Sequence, residues 1–197
     1  MGAAFGAFLG SHILGVLEQP LLLPKLNFIY FMGSTTIVGG LLGGLIGVEL
    51  TKKQIGVKVS SGDLMVYPII LAMIIGRLGC HFAGLEDGTY GIASTLPWAI
   101  DFGDGITRHP TNLYEIIFWI FLWLALFSID NRYQLNDGGR FKILMTTYLI
   151  FRLCIEFIKP AYFFNFGLSA IQLACVAGLL YYYKLLLHPL KIIKPNA

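Results

Sequence analysis

The sequence predicts an all-α fold, a polytopic membrane helix bundle of about six transmembrane helices forming a single integral domain over residues 1–197. Three observations predict it. Hydrophobic residues make up 56% of the chain and charged residues only 13%, and mean hydropathy is +0.73, the composition of a chain solvated by lipid. Apolar runs recur at about the 20 residues that a helical span needs. The lysines and arginines between those runs alternate in number, as loops on opposite sides of a membrane do. These spans occupy nearly the whole length, so no soluble domain is expected.

The first candidate span, Met1 to Leu17, has no basic residue ahead of its apolar stretch and reads as a short span, not as a cleavable signal. The second runs from Phe28 to Leu50. In it Gly39, Gly43 and Gly47 recur every four residues with Gly40 and Gly44 beside them, a smooth face for close helix packing or for a lipid chain against exposed backbone. The third runs from Leu64 to Ala83. A long connection follows, residues 84–112, whose glycines at 84, 88, 91, 103 and 105 with Pro97 and Pro110 argue against a continuous helix. The fourth span, Leu113 to Ile129, begins after Thr111 or Asn112 as its cap. The fifth covers Phe141 to Ile158 and the sixth Gly167 to Leu187, each bounded by charged, Pro or Gly residues.

Lys25 stands alone after the first span, Lys52, Lys53 and Lys58 follow the second, and Arg108 follows the third. Arg132, Arg140 and Lys142 follow the fourth, Lys159 the fifth, and Lys184, Lys191 and Lys194 close the sixth. This rhythm predicts cytoplasmic termini and an outer loop at 84–112, with Trp98 at the outer interface. The first span must then take its orientation from the others. No long repeat is visible, so neither a solenoid nor an inverted-repeat transporter is the first expectation.

The net charge of +3 is spread without a basic run, so nucleic acid is not expected as a partner. Cys80, Cys154 and Cys175 all fall in apolar segments and form neither a metal-like pair nor a disulfide framework. Glu86, Asp87, Asp101 and Asp104 read first as solvated carboxylates or turn caps, with substrate or catalytic contacts as the alternative and a cation site as a lesser one. The run Asp101-Phe102-Gly103-Asp104-Gly105 lacks the ligand spacing of a calcium loop. No metal and no cofactor are expected.

The chemistry points to Arg77 and Arg152, both inside apolar spans. An arginine near the bilayer centre costs ~2.5–3.5 kcal/mol on insertion scales, which suggests an internal polar site whose function offsets that cost. The matching guest is an anion, and the abundant anion of a membrane is lipid phosphate. Arg77 lies in Gly76-Arg77-Leu78-Gly79-Cys80-His81-Phe82, with Gly84 and Gly88 beyond; it is either a pocket arginine or one that snorkels to the surface. Tyr148, Arg152 and Glu156 recur at helical spacing and project from one face. Either Arg152 and Glu156 merely neutralise each other, or Glu156 orients Arg152 and Tyr148 adds a hydroxyl while the guanidinium fork binds phosphate. Two arginines from separate helices can together hold one phosphodiester.

Between them stands Arg108-His109-Pro110-Thr111-Asn112-Leu113-Tyr114-Glu115. His109 is a candidate base near neutral pH, or a hydrogen-bonding surface residue. Glu115 is either favourable charge at a helix N-terminus or a partner of an arginine. His12 and His81 are lesser candidates with polar contacts as the default, and His188 lies toward the cytoplasmic end.

Taken in order, these pieces resemble the prolipoprotein diacylglyceryl transferase family. Gly39-Gly40-Leu41-Leu42-Gly43-Gly44 is similar to its glycine-rich helix, and Gly76-Arg77-Leu78-Gly79-Cys80 with Gly84 and Gly88 to its signature. Arg108 to Glu115 is similar to the loop and helix start that follow, and Tyr148, Arg152 and Glu156 to a Tyr, Arg and Glu spaced by four. The resemblance implies a multi-pass protein of the bacterial cytoplasmic (inner) membrane with its site facing the outer leaflet. It implies transfer of a diacylglyceryl group from phosphatidylglycerol to the lipobox cysteine of a preprolipoprotein, without cofactor. Arg77, Arg152, Glu156, Tyr148 and His109 would form the catalytic set, and Arg77, Arg152, Cys80, Gly84, Gly88 and Glu115 would bind substrate.

The sequence also departs from the pattern. Val38 stands where family members usually carry a histidine before the first glycine pair, Cys80 where some carry asparagine, and Leu85, followed by Glu86, where some carry an acid. The length implies that an N-terminal span and much of the extracytoplasmic head are missing. Two other readings therefore stand beside the first: a non-catalytic or altered-acceptor phospholipid-binding membrane protein, and an anion transporter or channel.

Overall fold

The computed structural model describes residues 1–25 and 27–194. In chain order its helices are α1 (Gly2–Glu18), α2 (Phe28–Gly33), α3 (Ile37–Ile55), α4 (Val66–Ala83), α5 (Thr111–Arg132), α6 (Gly139–Ile155), α7 (Ala170–Tyr181) and α8 (Tyr183–Leu187). Two short strands, β1 (Ile100–Asp101) and β2 (Thr107–Arg108), lie between α4 and α5. The chain packs as two compact units. The first holds Met1–Val59, Met145–Glu156 and Ala161–Tyr183; the second holds Ser60–Leu144, Phe157–Pro160 and Lys184–Ala197.

In the first unit α1 lies antiparallel on α3, and glycine is the reason they approach so closely. A Cβ built on Gly6 would collide with the Gly43 carbonyl, one on Gly10 with the Gly39 carbonyl, and one on Gly43 with the Gly6 carbonyl. The glycine face read from α3 thus has a second half, Gly2, Gly6 and Gly10, spaced by four on α1. Backbone-to-backbone packing of this kind substitutes for the hydrophobic drive that lipid-facing helices lack.

The expected second span, Phe28 to Leu50, is in fact two helices. Asn27 caps α2 by accepting from the Tyr30 amide at 2.7 Å, and Thr36 caps α3 by accepting from the Gly39 amide at 3.2 Å. Ser, Thr and Asn prefer such positions because their oxygens satisfy amides that a helix start leaves open, and Ser34-Thr35-Thr36 therefore interrupts the apolar run. The break is tied to α1, since the Thr36 amide donates to the Ser11 carbonyl at 3.1 Å. Likewise the expected fifth span, Phe141 to Ile158, leaves α-helical geometry after Ile155 and finishes as a 3-10 turn over Glu156–Ile158. The sixth, Gly167 to Leu187, starts as helix only at Ala170 and is interrupted at Tyr182 between α7 and α8.

The second unit is organised around α4 and α5. Val66, Ile70, Ile116, Trp119, Leu122 and Leu126 are buried in it. Leu71, Ile75, Leu78 and Phe82 of α4 and Ile117, Phe121, Leu124 and Phe127 of α5 are exposed. Apolar side chains on both faces mark helices meant for lipid. With its flanking 3-10 turns α4 forms a 26-residue apolar stretch and α5 is 22 residues long, each enough to cross a membrane; α1 and α7 are shorter apolar helices. Asp130 at the end of α5 accepts from the Tyr67 hydroxyl at 2.8 Å and from Arg140 Nε at 2.8 and 2.9 Å. Asp63 accepts from the Gly138 and Phe141 amides at 2.8 and 3.0 Å and so caps the start of α6.

The long connection adds one short β-ladder to a chain that is otherwise mostly helical. β1 and β2 pair antiparallel with Ile100 opposite Arg108. Two-residue strands carry no sequence period, and here tertiary pairing defines them. Residues 91–94 run alongside: the Gly91 amide donates to the His109 carbonyl, the His109 amide to the Ile92 carbonyl, and the Ser94 amide to the Thr107 carbonyl, at 2.9, 3.1 and 2.9 Å. The turn joining the strands is closed by Asp101, whose Oδ1 accepts from the amides of Gly103, Asp104 and Gly105 at 2.8, 3.1 and 3.1 Å. That carboxylate is a turn cap.

Candidate functional site

Arg77 sits in the penultimate turn of α4 and is 6% exposed. Its Nε lies 2.8 Å from Oε2 of Glu115, which is 2% exposed in the second turn of α5. The arginine therefore does not stand alone in lipid; a carboxylate from the neighbouring helix compensates its charge. Cys80 lies one turn further along α4, with Sγ 3.6 Å from Arg77 Nη1. Gly84 and Gly88 turn the chain out of α4, with φ of +61° and +67°. Side chains rarely adopt such angles, so the backbone itself requires glycine at both. The connection is then pinned to the start of α5. Thr89 Oγ1 donates to Asn112 Oδ1 at 2.8 Å, and Thr111 Oγ1 donates to the Thr89 carbonyl at 2.7 Å.

His109 belongs to a short relay at the same helix start. Trp98 Nε1 donates to the Tyr114 hydroxyl at 2.7 Å, and that hydroxyl lies 3.3 Å from His109 Nδ1. Indole is a donor only, so the Tyr114 oxygen accepts from Trp98 and links it to the His109 ring. His81 packs its ring edge against Phe102, with centroids 5.9 Å apart. Arg108 is engaged elsewhere: Nη1 and Nη2 donate to the two carboxylate oxygens of Asp104 at 2.7 and 2.6 Å, and its guanidinium lies 4.9 Å from the Tyr90 ring centre. The Arg108 hydrogen bonds hold the Asp104 carboxyl down at about 2 and the same pairing raises Arg108.

In the first unit Tyr148, Arg152 and Glu156 follow one another at intervals of four residues, and all three are buried, Tyr148 and Glu156 completely. Tyr148 stacks near Phe151 with ring centres 6.5 Å apart. Arg152 Nη2 lies 3.2 Å from Glu156 Oε2. Glu156 has already left the α-helix, so its carboxylate is displaced from where a continued helix would carry it. The other carboxylate oxygen, Oε1, accepts from the Ser169 hydroxyl at 3.1 Å. Ser169 is the N-cap of α7 and forms a capping box with Gln172. Neither residue stands out by charge or by a special residue type, although Ser169-Ala170-Ile171-Gln172 before an apolar run is the pattern that announces such a box. His12 is buried in α1, with Nδ1 2.9 and 3.0 Å from the carbonyls of Phe31 and Ser34. Val38 is buried in the first turn of α3.

Each guanidinium is thus held beside a carboxylate in an apolar setting. It keeps its charge there and offers a planar fork that matches phosphate. Among the described residues no group of three or more His, Cys, Asp or Glu side chains is arranged to hold a metal ion.

Lipid-facing apolar helices around buried, compensated arginines define a helical membrane protein. The chain belongs to the prolipoprotein diacylglyceryl transferase family, whose model matches residues 2–188. It is 34% identical over 135 residues to a phosphatidylglycerol–prolipoprotein diacylglyceryl transferase of Frankia casuarinae, an alignment covering 64% of this chain and 32% of that one. Identity to one from Streptomyces coelicolor is 32% over 139 residues, covering 67% and 40%. Identity to one from Mycobacterium leprae is 28% over 149 residues, covering 64% and 44%. The matches thus span less than half the length of these curated relatives.

Proposed function

We propose that this protein is a phosphatidylglycerol-dependent diacylglyceryl transferase of the bacterial inner membrane, with about six spans, cytoplasmic termini and a site open to the outer leaflet. The observation that carries the reading is the pair of buried arginines, each beside a buried glutamate, in a chain of this family. The acceptor is the lipobox cysteine of a preprolipoprotein. Its sulfur attacks the glycerol carbon that bears the phosphate ester; the S–C bond forms as the C–O bond breaks. Glycerol phosphate leaves with the electron pair and the thiol proton passes to a base. Arg77 and Arg152 stabilise the charge on the departing phosphate. Glu115 and Glu156 hold the guanidinium groups, and Tyr148 supports Arg152. Cys80 near the end of α4 and Gly84 and Gly88 just beyond it belong to the substrate-binding surface. His109 is the base that takes the thiol proton.

Val38, in the place where relatives usually carry a histidine, favours a second reading, a phospholipid-binding protein without transfer or with another acceptor. Purified protein with labelled phosphatidylglycerol and a lipobox peptide separates the two. The first reading expects lipidated peptide and released glycerol phosphate, both lost in Arg77→Ala and Arg152→Ala. Binding of phosphatidylglycerol without release establishes the second. Solute flux with neither removes both.

A further inference from the structure

Arg152 is aimed from outside its own helix. Its partner Glu156 lies in the 3-10 turn where α6 has ended, so helical geometry no longer fixes that carboxylate. What does fix it is the first turn of α7. The Ser169 hydroxyl donates to Glu156 Oε1 at 3.1 Å and accepts from the Gln172 amide at 3.2 Å. Gln172 closes the box by accepting from the Ser169 amide through Oε1 at 2.9 Å, while its Nε2 donates to the Leu153 carbonyl at 3.2 Å. Leu153 is the residue directly after Arg152. The two side chains thus grip the end of α6 at the backbone beside the arginine and at the carboxylate that faces it.

Burial makes this grip consequential. Ser169, Gln172 and Glu156 are all fully buried, so each bond replaces one that water cannot supply. The carboxylate also lies at the N-terminal end of a twelve-residue helix, the favourable end of its dipole for an acidic group. Glu156 held in one orientation leaves Arg152 one favourable direction for its guanidinium fork.

We propose that Ser169 and Gln172 are positioning residues for Arg152, acting through Glu156 and the Leu153 carbonyl. The inference rests on the reading that Arg152 binds lipid phosphate, and it deepens that reading by making the arginine's orientation depend on α7. In reconstituted protein, Ser169→Ala is expected to weaken phosphatidylglycerol binding and lower kcat/KM for transfer, each on the order of tenfold, as loss of one hydrogen bond to a buried charged group does. Ser169→Thr, which keeps a hydroxyl, restores most of both. Adding Ser169→Ala to Glu156→Ala costs little further binding or transfer, because the serine reaches Arg152 chiefly through that carboxylate.

A second measurement does not depend on activity. The side-chain NMR signals of Arg152, assigned through Arg152→Lys, report rotation of the guanidinium about Nε–Cζ. Restricted rotation in the native protein and averaging in Ser169→Ala support the inference even if no transfer is detected, in which case only the transferase reading falls. Unchanged rotation in Ser169→Ala, or additive losses in the double variant, overturns the inference while leaving the transferase reading standing.

Discussion

Arg152 and Glu156 stand four residues apart on one segment, whereas Arg77 meets Glu115 across the α4–α5 interface. The two pairs have similar burial, yet they are held in different ways. Helices in a bilayer form before they pack, so the unfolded reference state of a membrane protein keeps much of its helix. Arg77 and Glu115 stand on two helices and meet only when α4 packs on α5. Arg152 and Glu156 are close in the chain, but Glu156 stands beyond the end of α6 and its carboxylate is completed by Ser169 at the start of α7.

The largest effects should be common to both. Arg77→Ala and Arg152→Ala are each expected to lower transfer by ~10²–10³-fold, the scale for removing a donor that stabilises developing negative charge. Lysine at either position should recover only part of this, since a point charge lacks the planar fork. If lysine recovers full activity at one position and not the other, the two arginines do not share a role.

Next come the glutamates. Glu115→Ala removes the interhelical partner of a buried charge and is expected to cost ~3–5 kcal/mol against unfolding in mild detergent or bicelles. Glu156→Ala strands an equally buried Arg152 and should cost a similar ~3–5 kcal/mol. A much smaller loss in Glu156→Ala would show that Arg152 finds another partner when the carboxylate is gone.

How far the sequence revealed these features follows from the same distinction. Tyr148, Arg152 and Glu156 were legible because a period of four lies in the chain itself. Glu115 was legible only as one of two alternatives, since nothing local says which helix an acid will face. On α3 the glycine series is plain, and its partner series Gly2, Gly6 and Gly10 has the identical spacing, but only the fold shows that the two series face each other. The break at Ser34-Thr35-Thr36 was readable from cap chemistry but was outweighed by the apolar run around it. The ladder over 91–109 was not readable at all, because its bonds join residues whose pairing only the tertiary fold decides.

The glycines sharpen the comparison between units at a smaller scale. A Cβ on Gly10 would strike the Gly39 carbonyl, whereas one on Gly79 meets no described atom within 4 Å. Gly10→Ala should therefore force α1 from α3 and cost ~1–3 kcal/mol, the usual scale of overpacking. Gly79→Ala should leave thermal stability unchanged or slightly raised, since alanine favours helix by up to about 1 kcal/mol. A fall in phosphatidylglycerol binding by Gly79→Ala at unchanged stability would assign the open side of α4 to the ligand.

The smallest effect belongs to the exposed pair, which shows what water does to the same chemistry. Asp104 titrates at about 2 instead of near 3.8 because Arg108 donates two hydrogen bonds to it. A carboxylate whose folded pKa is depressed contributes stability that is fully present above 3.8, shrinks as pH falls and is gone below about 2. The carboxyl carbon signal of Asp104 should accordingly move with a midpoint near 2, and Asp104→Asn should abolish the acid sensitivity of cleavage in the 101–108 turn without altering transfer. A midpoint near 3.8 would mean that the pair does not hold in solution. Raising the salt should draw the midpoint back toward 3.8, since ions screen an exposed pair; the same salt should leave the stability contributed by Arg77 and Glu115 unchanged, because screening does not reach a pair buried between helices.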